Sequence, residues 1–131
     1  MIYLVGSNPS PKNKDPRKAF VGTRSHKTLL AWVEKLELEE YCMLNVTNEI
    51  TNGRPPKVSQ KDLDSLKTIL TGPNQIIALG NVASEALNKI GLSHFKLPHP
   101  SGRNRLLNNP SYIETELQKC KLFLELGREK D

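Results

Sequence analysis

The sequence has little of what would hold a protein in a membrane or tie it together covalently. No apolar run approaches the roughly 20 residues of a membrane span, so no membrane association is expected. The first ten residues carry no basic stretch, and their apolar run is too short for a secretion signal. The cytoplasm is the expected setting. Cysteine is scarce: Cys42 and Cys120 lie far apart and form no C-x-x-C pair. Structural zinc wants four N or S ligands, so no metal is expected, and the two thiols read as small buried hydrophobes. Internal repeats, low-complexity tracts and a polybasic tail are all missing.

What remains is an ordinary globular composition, 37% apolar and 25% charged over 131 residues. That length suits one domain, residues 1–131, large enough to bury a core without disulfides. The net charge of +5 favours an acidic partner, and nucleic acid is the commonest one. The charge alone is not decisive, because the basic residues are distributed along the chain.

Strand-like and helix-like patterns alternate. Residues 2–5 form an apolar run closed by Gly6 and read as a buried strand. Residues 6–22, rich in Pro, Asn, Lys and Gly, read as a long loop. Leu29, Trp32, Val33 and Leu36 then share one helical face. A second strand is expected over 41–46 and a polar loop over 47–58. Ser59 stands at an N-cap position before Leu63, Leu66, Ile69 and Leu70, and Gly72-Pro73 ends that helix. Residues 75–79 read as the third strand. Val82, Ala83, Ala86, Leu87 and Ile90 mark the third helix, with Gly91 as its C-cap. Residues 95–97 make a brief fourth strand. Pro110 opens a last helix along Ile113, Leu117, Cys120 and Leu124.

This order predicts an α/β fold: three layers, α/β/α, with a mostly parallel four-stranded sheet. Such sheets bind ligands at the carboxyl ends of their strands. The three unusual loops, 6–22, 47–58 and 98–106, all follow strands, so they are expected to gather at that edge.

Those loops hold the residues with chemical potential. Residues 6–10 read GSNPS, which on local grounds is a Gly/Pro turn. Residues 19–22 read AFVG, and an aromatic in a polar loop commonly plugs a core. Residues 97–105 read LPHPSGRNR: His99 sits between two prolines that stiffen it, and two arginines suited to phosphate contact follow. His26 falls in the first helix turn, and His94 reads as a surface residue.

In combination and in order, these segments resemble the uracil-DNA glycosylase superfamily. GSNPS looks like its first motif, in the Asn-Pro form of the mismatch-specific and single-strand-selective branches. KAFVGTRSHKTLL, residues 18–30, is similar to the R-P-F-V-G-x-x-G-x-L-L stretch of the thermophilic branch. LNV, residues 44–46, looks like the strand-end asparagine motif, and GRPP, residues 53–56, resembles the C-R-P-P that follows it. ALGNVASEAL, residues 78–87, is similar to a structural A-L-G-x-x-A-x-x-A-L segment, and HPSGRNR, residues 99–105, resembles the second catalytic motif. The resemblance covers residues 2–106, about four-fifths of the chain.

It implies a DNA glycosylase that flips one base out of single- or double-stranded DNA, acts as a monomer and uses no cofactor or metal. Gly6, Ser7, Phe20 and Asn45 would bind the base, with Phe20 stacking on it and Asn45 reading its edge; Asn48 and Asn81 are rivals of Asn45 for that role. Asn8 would position water, and His99 would donate to the base O2. Ser101, Gly102, Arg103 and Arg105 would meet the DNA. Two departures stand out. Two cysteines fall short of the four that hold the thermophilic branch's iron–sulfur cluster. Ser7 and Asn8 also stand where other branches carry an acidic residue. A non-catalytic relative that binds DNA or a modified base is therefore an alternative, and a hydrolase of free nucleosides or nucleotides is a third.

Overall fold

The structure is a computed structural model, and it describes residues 1–7, 24–47, 56–100 and 109–129. Its elements run β1 (Ile2–Gly6), α1 (Arg24–Lys35), β2 (Tyr41–Asn45), α2 (Gln60–Leu70), β3 (Gln75–Leu79), α3 (Asn81–Lys89), β4 (Phe95–Leu97) and α4 (Pro110–Glu129). The four strands form one sheet in the order β2-β1-β3-β4, and every pairing is parallel. The expected α/β/α arrangement with a parallel sheet is what the chain adopts.

Alternation along the strands sorts the core into two halves. Ile2, Leu4, Ile77, Leu79 and Leu97 pack with Leu29, Trp32 and Leu36 of α1 and Leu117, Cys120 and Leu124 of α4. Val5, Ile76 and Ala78 pack on the opposite face with Leu63, Leu66 and Leu70 of α2 and Ala83, Ala86 and Leu87 of α3. β1 and β3 are central and covered on both faces, so they read as continuous apolar runs. β2 is an edge strand and every one of its residues is only half-buried.

That edge position corrects the reading of Cys42, which is half-buried where a buried thiol was expected; Cys120 is buried as expected. Burial pushes the Cys120 thiol up to about 12, which leaves it an inert piece of core. Ile69 is also corrected. It was placed on the buried face of α2, yet it is 48% exposed, because Leu66 and Leu70 already fill the stripe facing the sheet.

Local chemistry fixes the helix ends. Ser59 caps α2 in a reciprocal box: the Asp62 N–H donates to Ser59 Oγ at 3.1 Å, and the Ser59 N–H donates to Asp62 Oδ2 at 3.0 Å. Gly91, at φ 74°, ends α3 in the left-handed conformation while the Leu92 N–H returns to the Leu87 carbonyl at 3.0 Å.

His94 was read as a surface residue, and the structure corrects this. Its ring is half-buried, with Nδ1 3.0 Å from the Leu92 carbonyl and Nε2 2.8 Å from Ser84 Oγ. A carbonyl only accepts, so Nδ1 carries the proton and, in the neutral ring, Nε2 accepts from the Ser84 hydroxyl. His94 thereby pins the approach to β4 onto α3. The recess beside it, lined by Asn88, Gly91, Leu92, Ser93 and His94, lies at the opposite end of α3 from Gly80.

Candidate functional site

The parallel sheet sets the site. Parallel strands share one carboxyl edge, and β1, β2, β3 and β4 deliver Gly6, Asn45, Gly80 and the segment holding His99 there in turn.

Gly6 and Asn45 are direct partners across β1 and β2. The pairing runs past the strand ends: the Val46 N–H donates to the Gly6 carbonyl at 2.9 Å, and the Thr47 N–H donates to the Ser7 carbonyl at 3.2 Å. The first motif and the strand-end asparagine are thus laced together through their backbones. Asn45 follows Tyr41 and Met43 in the alternation toward α1 and α4. Its Oδ1 is sealed from solvent and has no hydrogen-bond partner among the described residues. A buried polar atom left unpaired costs roughly 1–3 kcal/mol, and each such atom in a native protein calls for an explanation.

His99 reaches the same edge from the other side. β4 ends at Leu97, whose carbonyl accepts from the Gly80 N–H at 2.8 Å. The chain then folds His99 back onto Gly80. A Cβ placed on Gly80 would stand 3.0 Å from the His99 Cβ and 3.4 Å from its Cδ2, and Gly80 adopts φ 92°. Both facts require glycine there. The carbon backing of His99 is therefore the N-cap of α3. Burial holds the His99 imidazole below its ordinary value, and the positive end of α3 works in the same direction. His99 is a neutral ring at neutral pH.

The two groups are separated by a legible span. Asn45 ends β2 while His99 packs over the end of β3, with β1 between them. Two strand spacings are about 10 Å, which is one pyrimidine ring with a hydrogen bond at each end.

Thr47 was not singled out by its sequence context. It is buried at 6% exposure, and its side chain lies near the Asp62 carboxylate at the start of α2. That carboxyl is held below its ordinary value, chiefly by the Ser59 backbone N–H, against some opposition from burial, and further by the Ser59 and Thr47 side chains. Only the Ser59 N-cap was visible in the sequence, since Thr47 and Asp62 are 15 residues apart.

The structure brings Gly6, Ser7, Asn45 and His99 to one edge of the sheet. Asn8, Phe20, Asn48, Ser101, Gly102, Arg103 and Arg105 lie outside the described residues. Asn81, a rival to Asn45, is exposed on the first turn of α3. Among the described residues, no three His, Cys, Asp or Glu side chains converge as a metal site would need, and no helix is long and apolar enough to cross a membrane.

No curated protein matches the chain. The family model of the uracil DNA glycosylase superfamily matches residues 1–124, a span that contains every strand, both strand-end motifs and most of α4. With a parallel sheet whose carboxyl edge carries the glycine-led turn, the strand-end asparagine and the H-P-S histidine, the chain belongs to the uracil-DNA glycosylase superfamily.

Proposed function

We propose that the protein is a monofunctional DNA N-glycosylase that holds a uracil, or a related base, flipped out of DNA and hydrolyses its N-glycosidic bond. The observation that carries this reading is the sealed, unpartnered Oδ1 of Asn45 at the sheet's carboxyl edge. A carboxamide offers both a donor and an acceptor, so Asn45 pairs with N3–H and O4 of uracil together. The amino group of cytosine opposes one of those bonds. Phe20 supplies a stacking platform, a contact worth roughly 1–3 kcal/mol per base, against the few kcal/mol that flipping costs.

In the reaction the C1′–N1 bond breaks and its electron pair moves onto the base, mostly toward O2, while the sugar gains positive charge. His99, neutral and held in place by Gly80, donates to O2 as that charge builds. Water held by Asn8 adds to C1′ and releases a proton. An amide is a weak base, so the rate is set mainly by stabilisation of the departing base. Arg105 grips a phosphate, and Arg103 enters the space that the flipped base leaves. The missing acidic residue in the first motif favours a second reading, a relative that binds the flipped base without cleaving it.

The test is incubation with single- and double-stranded oligonucleotides carrying one uracil, followed by alkali to reveal abasic sites and by gel shift. Cleavage supports the first reading. Uracil-dependent binding without cleavage supports the second, and neither result overturns both.

A further inference from the structure

β4 is the shortest strand of the sheet, and it leads to the histidine of the candidate site. It spans three residues, pairs only with β3 and lies at an edge. A ladder that short frays easily. On the face toward α4, the Phe95 ring packs against Phe123 with centroids 5.6 Å apart. Apolar burial is non-directional, so it holds β4 down without fixing its position along the strand axis.

Directional bonds come from α3, at both ends of β4. Ahead of the strand, His94 Nε2 lies 2.8 Å from Ser84 Oγ, and Nδ1 lies 3.0 Å from the Leu92 carbonyl. At the far end, the Gly80 N–H donates to the Leu97 carbonyl at 2.8 Å. Gly80 and Ser84 are themselves one helical turn apart, joined by the Ser84 N–H to the Gly80 carbonyl at 3.2 Å. His99 closes onto Gly80, its Cβ 3.0 Å from where a Gly80 Cβ would stand, and the Pro100 ring that follows is fully buried. The contacts form a closed circuit: Ser84, His94, β4, His99, Gly80 and back through one turn of α3.

Apolar bulk would fill the place of His94 without a histidine. Both of its ring nitrogens are used and the ring is only half-buried, so what it supplies is a fixed direction. Ser84 is 8% exposed, and a hydroxyl buried on the inner face of α3 carries a cost that a hydrogen bond to His94 offsets. We propose that His94 is a positioning residue, which acts through Ser84 to hold the start of β4 on α3 and thereby sets where His99 stands over Gly80. This rests on the reading of His99 as the group that donates to the base. Misplacement of a reacting group by about 1 Å can cost a hundredfold in rate, so a single hydrogen bond behind the site has room to matter.

The experiment separates placement from stability. His94→Leu keeps the bulk and removes both ring bonds. Ser84→Ala removes the hydroxyl at a helical position that alanine favours. His94→Gln keeps a side-chain oxygen that can accept from Ser84, and is the rescue. Ser59→Ala breaks the capping box of α2, leaves every contact of the circuit intact, and is the control for lost stability. The first readout is kcat and KM on a single-stranded oligonucleotide carrying one uracil, below the thermal midpoint of every variant. His94→Leu and Ser84→Ala are expected to lower kcat about tenfold with little change in KM, and His94→Gln to keep most of the parent's kcat. Ser59→Ala is expected to lower the thermal midpoint with kcat unchanged. Parental kcat in His94→Leu or Ser84→Ala overturns the proposal, and so does a loss in Ser59→Ala as large as theirs. A loss in His94→Gln equal to that in His94→Leu overturns the role given to Ser84.

The second readout needs no activity. The chain has three histidines, so each ring Hε1 signal is assigned by substituting His26, His94 and His99 in turn. Burial holds the His99 imidazole below its ordinary value. A ring released from its seat is better hydrated, so its titration midpoint is expected to rise toward the ordinary value in His94→Leu and Ser84→Ala. In Ser59→Ala it is expected to stay in place. An unmoved His99 midpoint in His94→Leu and Ser84→Ala overturns the proposal even in an active enzyme. If the parent protein cleaves no uracil, the glycosylase reading fails, and the titration alone decides whether His94 positions His99.

Discussion

At the scale of single residues, the site sets function against stability, and that opposition can be measured. The unpaired Oδ1 of Asn45 is a cost in the free protein that a bound base would repay. Asn45→Ala removes the orphaned atom, so it is expected to raise the unfolding free energy by about 1 kcal/mol while cutting uracil cleavage at least tenfold. Denaturant titration and a cleavage assay on the same sample check both signs. A loss of stability would mean that the atom has a partner and the pocket reading is wrong. His99 makes the matching case for pH. Its imidazole is held below its ordinary value of about 6.5, so between that folded value and 6.5 the unfolded chain binds more protons than the folded one. Stability therefore rises with pH across this window and is level above it. Thermal midpoints measured in steps from pH 5 to pH 8 are expected to show this rise in the parent and a smaller one in His99→Gln. The same substitution should lower kcat more than affinity, because the bond to O2 strengthens only as charge develops there.

At the scale of elements, the beginning of α3 is where strain and placement meet. Gly80→Ala would force a Cβ to within 3.0 Å of the His99 Cβ at φ 92°, a backbone region that costs an alanine roughly 1–3 kcal/mol. The expected result is a loss of about 2–4 kcal/mol in unfolding free energy, reduced in the His99→Gly background, where the contact is gone and only the backbone strain remains. Additive losses would show that the two residues do not touch. This contact also marks the boundary of what the sequence could tell. Period and punctuation were enough for the elements, because Gly6, Ser59, Gly72-Pro73, Gly91 and Pro110 stand at their ends, and the alternation of strands and helices implied a parallel sheet. The loops following strands implied the edge where a site would lie. Two long-range pairings were not legible. Gly80 under His99 and Ser84 on His94 join residues 19 and 10 positions apart, and each depends on how elements stack. Ile69 and Cys42 failed for the same reason: helical or strand periodicity names a face, but only packing decides how much of it is covered.

At the scale of the whole molecule, the topology sorts charge that looked evenly spread along the chain. The segments leaving the carboxyl ends of β1, β2 and β4 carry Lys12, Lys14, Arg17, Lys18, Arg54, Lys57, Arg103 and Arg105 against Asp15 and Glu49. The turn entering β2 at the opposite end carries Glu37, Glu39 and Glu40. A net of six positive charges thus belongs to the segments that begin at the candidate site, and three negative ones to the far pole. Such a polarity would orient the protein toward a phosphate backbone and speed encounter. If DNA binds at the carboxyl edge, affinity should fall steeply with salt, and removal of one phosphate contact should reduce the slope of log K against log salt by about one. Arg105→Ala is expected to do this on single strands and duplexes alike. Arg103→Ala should instead weaken duplex binding more than single-strand binding, because a planar guanidinium that enters the space left by a flipped base has a stack to hold open only in a duplex. The control is Glu39→Gln with Glu40→Gln at the far pole, which should change the slope by much less than one while raising affinity slightly at low salt. The measurement is a salt series for these variants on both substrates. A slope that drops in the glutamate variant and not in Arg105→Ala would place the DNA at the wrong end of the sheet for the proposed chemistry.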